Sequence, residues 1–370
     1  MNRIARTCLL VGLAGWMTAG QPELWAATKP STSKKTAAAS ATKKRGIAQH
    51  PYRGAIVLDA ATGNVLFEDK ADIKGYPASM LKLMDLLIIL EKIERKELSM
   101  QDPVPVSAKA SHIGGSRVWL AEKESFAMDE MLYALMIQSA NDVAAALAEK
   151  ISGSTDAFVE LMNKRAQELG MTNTVFNSVH GLPPGAGQQH DVTTARDFAI
   201  LCRELLKHKD TLRYTAARER PFRSNDPKHM VLMRTHNHLL GSVEGCDGLK
   251  TGYITVAGYS IAVTAQRKGR RVIVIVLGSA DRKVRDAKAA ELLNKGFAAL
   301  PAVPVAVAPP PAPKPAPAST PQPLAQAKEE IKQAEQKPEA HAQNGIFLAF
   351  GLVVLSSVVA AWWMKKNRWL

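Results

Sequence analysis

Three short strings in this 370-residue chain set reactive side chains at spacings that backbone geometry can use. In Ser79-Met80-Leu81-Lys82 the serine and lysine stand three apart at the start of an apolar, helical run. Residues three apart share a helix face, so the amine sits beside the hydroxyl. A nucleophilic hydroxyl needs such a base beside it, and a helix start adds free N–H groups for an oxyanion. Ser139-Ala140-Asn141 interrupts a second helical run, and Lys250-Thr251-Gly252 leads into a strand. Each string is weak alone: Ser31-x-x-Lys34 and Ser40-x-x-Lys43 fall in a low-complexity stretch without the apolar residues to fold. Lys82 differs because it lies within an apolar helix, where an unpaired charge is costly.

These side chains need elements to hold them. Residues 54–59 and 65–67, joined through Ala61-Thr62-Gly63-Asn64, read as strand, tight turn, strand. Residues 79–98 form a helix that is apolar nearly all round as far as Leu90, the pattern of a central helix. Residues 128–151 are helical with a break near Ser139, and 155–169 and 194–207 are amphipathic helices. Residues 257–265 and 272–278 flank Gln266-Arg-Lys-Gly269-Arg270 as a hairpin of buried strands, and 287–300 reads as a closing helix. Strands at both ends with helices between them predict an α+β fold. An antiparallel sheet flanked by helices would carry a mainly helical second lobe.

Outside residues 48–298 the composition changes. Residues 1–27 place Arg3 and Arg6 before a short apolar run, with small Ala26 and Ala27 after it, the grammar of a secretory signal. Residues 28–47 carry Lys29, Lys34, Lys35, Lys43, Lys44 and Arg45 with no acid, and are expected to form a disordered basic arm. The formal charge of +14 therefore owes much to a tail. No zinc spacing, RNA-binding signature or helix-turn-helix pattern accompanies it, so nucleic acid is not an expected partner. Anionic wall polymer or lipid headgroups suit those charges better.

Residues 299–344 begin as a Pro/Ala/Val-rich, extended linker and then turn polar. Residues 345–364 are uncharged and apolar, about the 20 residues that cross a bilayer. Trp362, Trp363 and Trp369 suit the interface, and the tail at 365–370, with Lys365, Lys366 and Arg368, is expected in the cytoplasm. The chain is thus expected to be a single-pass protein of the plasma or inner membrane, its globular part on the periplasmic or extracytoplasmic side. Cys8 lies in the expected signal, and Cys202 and Cys246 establish neither a disulfide nor a metal cluster.

In this order and in these contexts the three strings make residues 50–298 resemble the penicillin-recognising serine peptidases, specifically the low-molecular-weight D-alanyl-D-alanine carboxypeptidases. The likeness extends to Gly54-Ala-Ile-Val-Leu-Asp-Ala-Ala-Thr-Gly63, Pro77-Ala-Ser-Met-Leu-Lys-Leu-Met84, Ser139-Ala-Asn-Asp142, Leu169-Gly-Met-Thr172, His180-Gly-Leu182 and Lys250-Thr-Gly-Tyr253. By that resemblance Ser79 attacks the carbonyl of the penultimate D-alanine of a peptidoglycan stem peptide and forms an acyl-enzyme. Lys82, kept neutral by burial and by the cation of Lys250, takes the serine proton, and Ser139 relays a proton to the departing amine. The resemblance assigns substrate binding to Asn141, Lys250, Thr251, Gly252 and Tyr253. Asn141 would orient Lys82 and hold the substrate's peptide group, while Lys250 and Thr251 would take its terminal carboxylate. The N–H groups of Ser79 and Tyr253 would form the oxyanion hole. It implies no cofactor or metal, and it implies β-lactam antibiotics as inhibitors.

Two positions depart from the common pattern. Leu81 stands where many members have threonine before the lysine, and Ile254 stands two residues after the motif glycine, with Thr255 one further on. The linker is expected to follow the catalytic part directly, without the extra β-rich domain that several members carry. No Glu-x-x-Leu-Asn string lies between Asn141 and Lys250, which sets the chain apart from the serine β-lactamases. A DD-endopeptidase acting on crosslinks, or a catalytically silent wall-binding protein, would keep the same residues. His180, Asp142 and Arg117 read as structural or surface residues. His229, His236 and His238 lack partners at ligand spacing for a metal.

Overall fold

The computed structural model describes residues 46–301. The expected signal, nearly all of the basic arm and of the linker, the apolar run 345–364 and the basic tail lie outside them. Among the described residues no helix is long and apolar enough to cross a membrane.

Strands β1 (Gly54–Asp59) and β2 (Val65–Asp69) pair antiparallel around a turn in which the Asp59 carboxylate accepts from the Ala61 N–H and the Thr62 hydroxyl. A single 3₁₀ turn, Ala78–Leu81, feeds α1 (Lys82–Glu94), which is buried on every side from Lys82 to Leu90. The helical lobe follows: β3 (Pro103–Pro105), α2 (Ala108–Ser111), β4 (Ser125–Ala127), α3 (Met128–Tyr133), a π-helical turn at Ala134–Gln138, α4 (Asn141–Ser152) and α5 (Thr155–Glu168). After it come α6 (Ala195–Leu205), α7 (Thr211–Thr215) and a short hairpin of β5 (Glu219–Phe222) and β6 (Val231–Arg234). Side chains set several of these boundaries, Ser154 accepting from the Ala157 N–H and Thr194 from the Asp197 N–H. The chain returns to the sheet through β7 (Cys246–Ile254), β8 (Gly258–Arg267) and β9 (Arg270–Ser279), and ends in α8 (Arg282–Ala299).

The five long strands form one antiparallel sheet in the order β2-β1-β9-β8-β7. Strand β9 is apolar at successive positions because both its faces are covered. Val272, Val274 and Val276 pack with Ala289, Leu292 and Leu293 of α8, while Ile273, Ile275 and Leu277 join the larger core with α1, α4 and α6. Each such side chain contributes roughly 1.5–3 kcal/mol when fully buried. The α+β expectation holds.

Three boundaries differ from those read in the sequence. Lys250-Thr251-Gly252 does not precede the sheet but lies inside its edge strand β7, with Lys250 opposite Ala262 and Gly252 opposite Ser260. That strand is polar and glycine-rich, so its sequence lacks the usual β signal, and the pairing with β8 supplies the order. Helix α8 starts five residues earlier than expected, at Arg282, because Asp281 caps it by accepting from the N–H groups of Lys283 (2.7 Å) and Val284 (3.0 Å). The folded part begins before residue 48, where the Ile47 N–H donates to the Val256 carbonyl at 2.7 Å, and it reaches the buried Leu300. Cys202 and Cys246 are separate thiols.

Candidate active site

Ser79 sits on the 3₁₀ turn between Pro77 and α1, preceded by Ala78 at φ +47°, a conformation that side chains with a Cβ rarely take. Two glycines explain how neighbours approach this turn. A Cβ on Gly252 would lie 2.4 Å from the Pro77 carbonyl oxygen, so only glycine lets β7 press against the turn. Gly181, at φ +77°, lies equally close to the Ala78 carbonyl and brings the His180–Leu182 loop over the serine from the other side.

Lys82 opens α1 one turn later, fully buried. Its Nζ lies 3.1 Å from Ser79 Oγ and donates to Asn141 Oδ1 (2.8 Å) and to the His180 carbonyl (2.7 Å). Asn141 is itself oriented, its Nδ2 donating to the Gly114 carbonyl at 2.8 Å. Burial pushes the Lys82 amine down to about 7, against the opposing pull of Asp85, Asp191 and Asp142.

Ser139 and Asn141 arrive on the irregular join between the π turn and α4. Such turns insert an extra residue into a helix and recur at functional sites. The join holds Ser139 in the left-handed region at φ +60°. Its buried Oγ has no hydrogen-bond partner among the described residues. Asp142 is fully buried and accepts from the N–H groups of Val118 (3.4 Å) and Leu120 (3.1 Å), tying the 114–120 loop to the start of α4. Ser116 on that loop donates to the Gln138 carbonyl at 2.6 Å.

The facing wall is β7. Lys250 is 3 % exposed, and among the described residues its side-chain nitrogen donates to the Thr251 carbonyl at 3.2 Å. Burial first, then Lys82 and Arg285, push it well below the ordinary lysine value. Tyr253 is half exposed and stacks on Tyr259, ring centroids 4.3 Å apart. Between the walls lies a cleft of about 340 Å³ lined by Ser79, Ser139, Asn141, Thr251, Gly252 and Tyr253. The expected site residues thus converge, with Lys82 and Lys250 buried beneath the lined surface. Ile254 lines the cleft as well, while Thr255 is exposed beyond it.

Some participants were missed. The His180 carbonyl, not its ring, holds Lys82, and a main-chain acceptor leaves no mark in residue types. Arg285 lines the cleft with its side chain 3 % exposed and paired to Asp286 at 2.6 Å. It escaped notice because α8 was expected to begin beyond it. Arg117 stacks over Trp119 at 3.8 Å and does not line the cleft. His229 pairs with Asp226 away from the site, whereas His236 and His238 form part of the cleft wall. Among the described residues Glu91, Glu204 and His208 bring ligand atoms within 4.8 Å of one another. Arg165 already lies 2.6 Å from Glu91 and 3.7 Å from Glu204, so their charge is compensated and no metal is assigned there.

A buried Ser-x-x-Lys pair, a Ser-x-Asn corner and a Lys-Thr-Gly strand closing on one cleft, on a sheet with a helical lobe, define the class of the penicillin-recognising serine peptidases. Comparison with known proteins gives the family. The profile described as D-alanyl-D-alanine carboxypeptidase matches residues 37–281, and the chain belongs to that family. The chain is 36 % identical over 248 residues to the D-alanyl-D-alanine carboxypeptidase DacF of Bacillus subtilis, covering 67 % of this chain and 62 % of that one. To DacC of Escherichia coli it is 34 % identical over 253 residues, with coverages of 66 % and 61 %. It therefore spans about three fifths of the length of these curated relatives. Among solved structures, penicillin-binding protein D2 of Listeria monocytogenes in its ampicillin-bound form is 30 % identical, with a TM-score of 0.59 over 67 % of this chain and 98 % of that one.

Proposed function

We propose that this chain is a serine D-alanyl-D-alanine carboxypeptidase that removes the terminal D-alanine from peptidoglycan stem peptides through an acyl-enzyme on Ser79. The observation that carries the reading is the arrangement around Lys82. A neutral amine has two N–H groups and one lone pair. The two acceptors that cannot donate, Asn141 Oδ1 and the His180 carbonyl, take the N–H groups. The lone pair is left for the Ser79 hydroxyl at 3.1 Å, the geometry of a general base.

The steps follow from this geometry. The substrate's terminal carboxylate pairs with Lys250, Thr251 and Arg285, and Asn141 holds the preceding peptide group. Ser79 attacks the penultimate D-alanine carbonyl as its proton passes to Lys82, and the oxyanion forms beside the N–H groups of the 3₁₀ turn and β7. The proton travels from Lys82 through the unpartnered Ser139 hydroxyl to the amine of the leaving D-alanine. Water then attacks the ester, its proton returning to Lys82, and frees the shortened peptide. A β-lactam carries a carboxylate beside its reactive amide and is expected to acylate Ser79 in the same way. One relative, penicillin-binding protein D2 of Listeria monocytogenes, solved with ampicillin and with cefotaxime bound, supports that expectation. The secretory grammar of residues 1–27 and the apolar run at 345–364 support placing the activity outside the cytoplasm on a membrane tether.

The test is the intact mass of the purified chain after exposure to a penicillin, beside its Ser79→Ala variant. An adduct that requires Ser79 is expected. An unmodified wild-type chain with the antibiotic intact would overturn the reading.

A further inference from the structure

Beyond Lys250 the cleft wall carries an arginine, Arg282, that the proposed reaction does not use. Two segments build this wall: the turn after β6, bearing His236 and His238, and the first turn of α8, bearing Arg282 and Arg285. No carboxylate side chain lines the cleft. The turn is anchored by the buried Asn237, whose Nδ2 donates to the Gly248 carbonyl at 3.3 Å and whose Oδ1 accepts from the Leu239 N–H at 3.1 Å. This fixes the flanking histidines against β7.

Arg285 is compensated by Asp286. Arg282 makes no ion pair: its hydrogen-bond partner among the described residues is a His238 ring nitrogen at 3.4 Å, and its acidic neighbour, the cap residue Asp281, lies outside salt-bridge distance. The first turn of α8 holds Arg282, Lys283 and Arg285 with no acid. A helix N-terminus is where the backbone dipole disfavours cations, and the neighbouring Asp281 is already engaged in capping the Lys283 and Val284 N–H groups. An exposed arginine with its neighbouring imidazole, both lining the catalytic cleft, is suited to a ligand anion.

We infer that Arg282 and His238 form a second anion seat, one that selects substrates whose leaving group carries a second carboxylate beyond the one flanking the scissile amide. The inference rests on the reading proposed above, in which Lys250 and Arg285 take the first carboxylate. Arg282 lies one helical turn from Arg285, and residues three apart on a helix have Cβ atoms about 5–6 Å apart. That spacing suits the two carboxylates of an acidic D-residue. D-alanine has one carboxylate and leaves the outer seat empty. The seat therefore inclines this cleft toward larger, acidic leaving residues.

The test uses the full purified chain and two synthetic peptides with the same acyl half ending in D-alanine. One has D-alanine as its leaving residue and the other D-glutamate. The readout is the ratio of kcat/KM for the second peptide over the first, at low and high salt. We expect a wild-type ratio above one that falls as salt rises. Arg282→Gln should lower it about five-fold, the worth of about one exposed ion pair, and Arg282→Lys should restore most of it. The loss should appear in KM more than in kcat. Equal ratios in wild type and Arg282→Gln would overturn the seat. So would saturation of Arg282 by inorganic phosphate without change in the ratio, which would mark a phosphate site instead. Penicillin labelling separates the two levels: an adduct on Ser79 with equal ratios sinks only the seat, whereas no adduct and no cleavage sinks the underlying reading with it.

Discussion

If Lys82 is the base, the rate at which a penicillin acylates Ser79 must follow the fraction of Lys82 that is neutral. An ordinary lysine, at 10.5, would leave well under 1 % of the base free at neutral pH. Burial lowers Lys82 to about 7, so roughly half is free there. Each pH unit below that removes about ten-fold, and at pH 5 acylation should run at roughly 1 % of its plateau. The ligand's own carboxylate titrates nearer 3–4 and stays charged throughout. A second limb belongs to Lys250, which must be protonated to hold that carboxylate and which is also pushed down from the ordinary value. The profile should therefore be a bell whose two limbs belong to the pair. Lys250→Arg assigns them, because arginine keeps its charge at every accessible pH. It should remove the alkaline limb and leave the acid limb at or below its original position. Stopped-flow acylation with a fluorescent penicillin from pH 5 to 10 measures all of this. A flat profile, or an acid limb near the ordinary lysine value, would refute Lys82 as the base.

Gly252→Ala places a methyl 2.4 Å from the Pro77 oxygen, and relieving it needs a shift of about 1 Å between β7 and the Ser79 turn. Acylation should slow by roughly 100-fold, as read by penicillin labelling, and an unaffected rate would contradict the proposed close approach. Asp142→Ala strands the buried N–H groups of Val118 and Leu120 and should cost about 1–3 kcal/mol in urea unfolding. His180 is held down to about 4 by burial and by Lys82, so the unfolded chain binds its proton first as pH falls. Stability should decline from about pH 6.5 to 4, and His180→Gln should flatten that part of the melting-temperature profile. A peptide ending in a C-terminal amide should lose kcat as well as affinity, measured by D-alaninamide release.

The meeting of Ser79 with Lys82, and of Ser139 with Asn141, was legible because these types stand at spacings that one helix turn or one corner can use. The long helices were legible because periodic apolar faces must be buried. What stayed hidden depends on contacts between distant segments. Strand β7 is polar and glycine-rich, and only its pairing with β8 and its approach to Pro77 make it a strand. The His180 carbonyl acts through backbone geometry that no residue type encodes. Arg285 and Arg282 reach the cleft because α8 begins early, on the Asp281 cap, in a stretch whose charges resemble a loop.

On the proposed reading, the two buried lysines couple recognition to catalysis in this cleft. Lys82 and Lys250 lie close enough that the charge on Lys82 disfavours charge on Lys250, and both are removed from water. In such a site two ammonium groups are far more costly than one. Burial holds both amines below their ordinary values. A substrate carboxylate changes the balance, because an anion beside Lys250 favours its protonated form. The resulting cation then presses Lys82 further toward the neutral state in which its lone pair faces Ser79. On that reading the free carboxylate of the terminal residue is more than a handle for binding: it would complete the charge arrangement that makes the base. A cleft built this way discriminates against internal peptide bonds without a steric stop, since a neutral continuation of the chain leaves Lys250 without its partner and Lys82 without its bias.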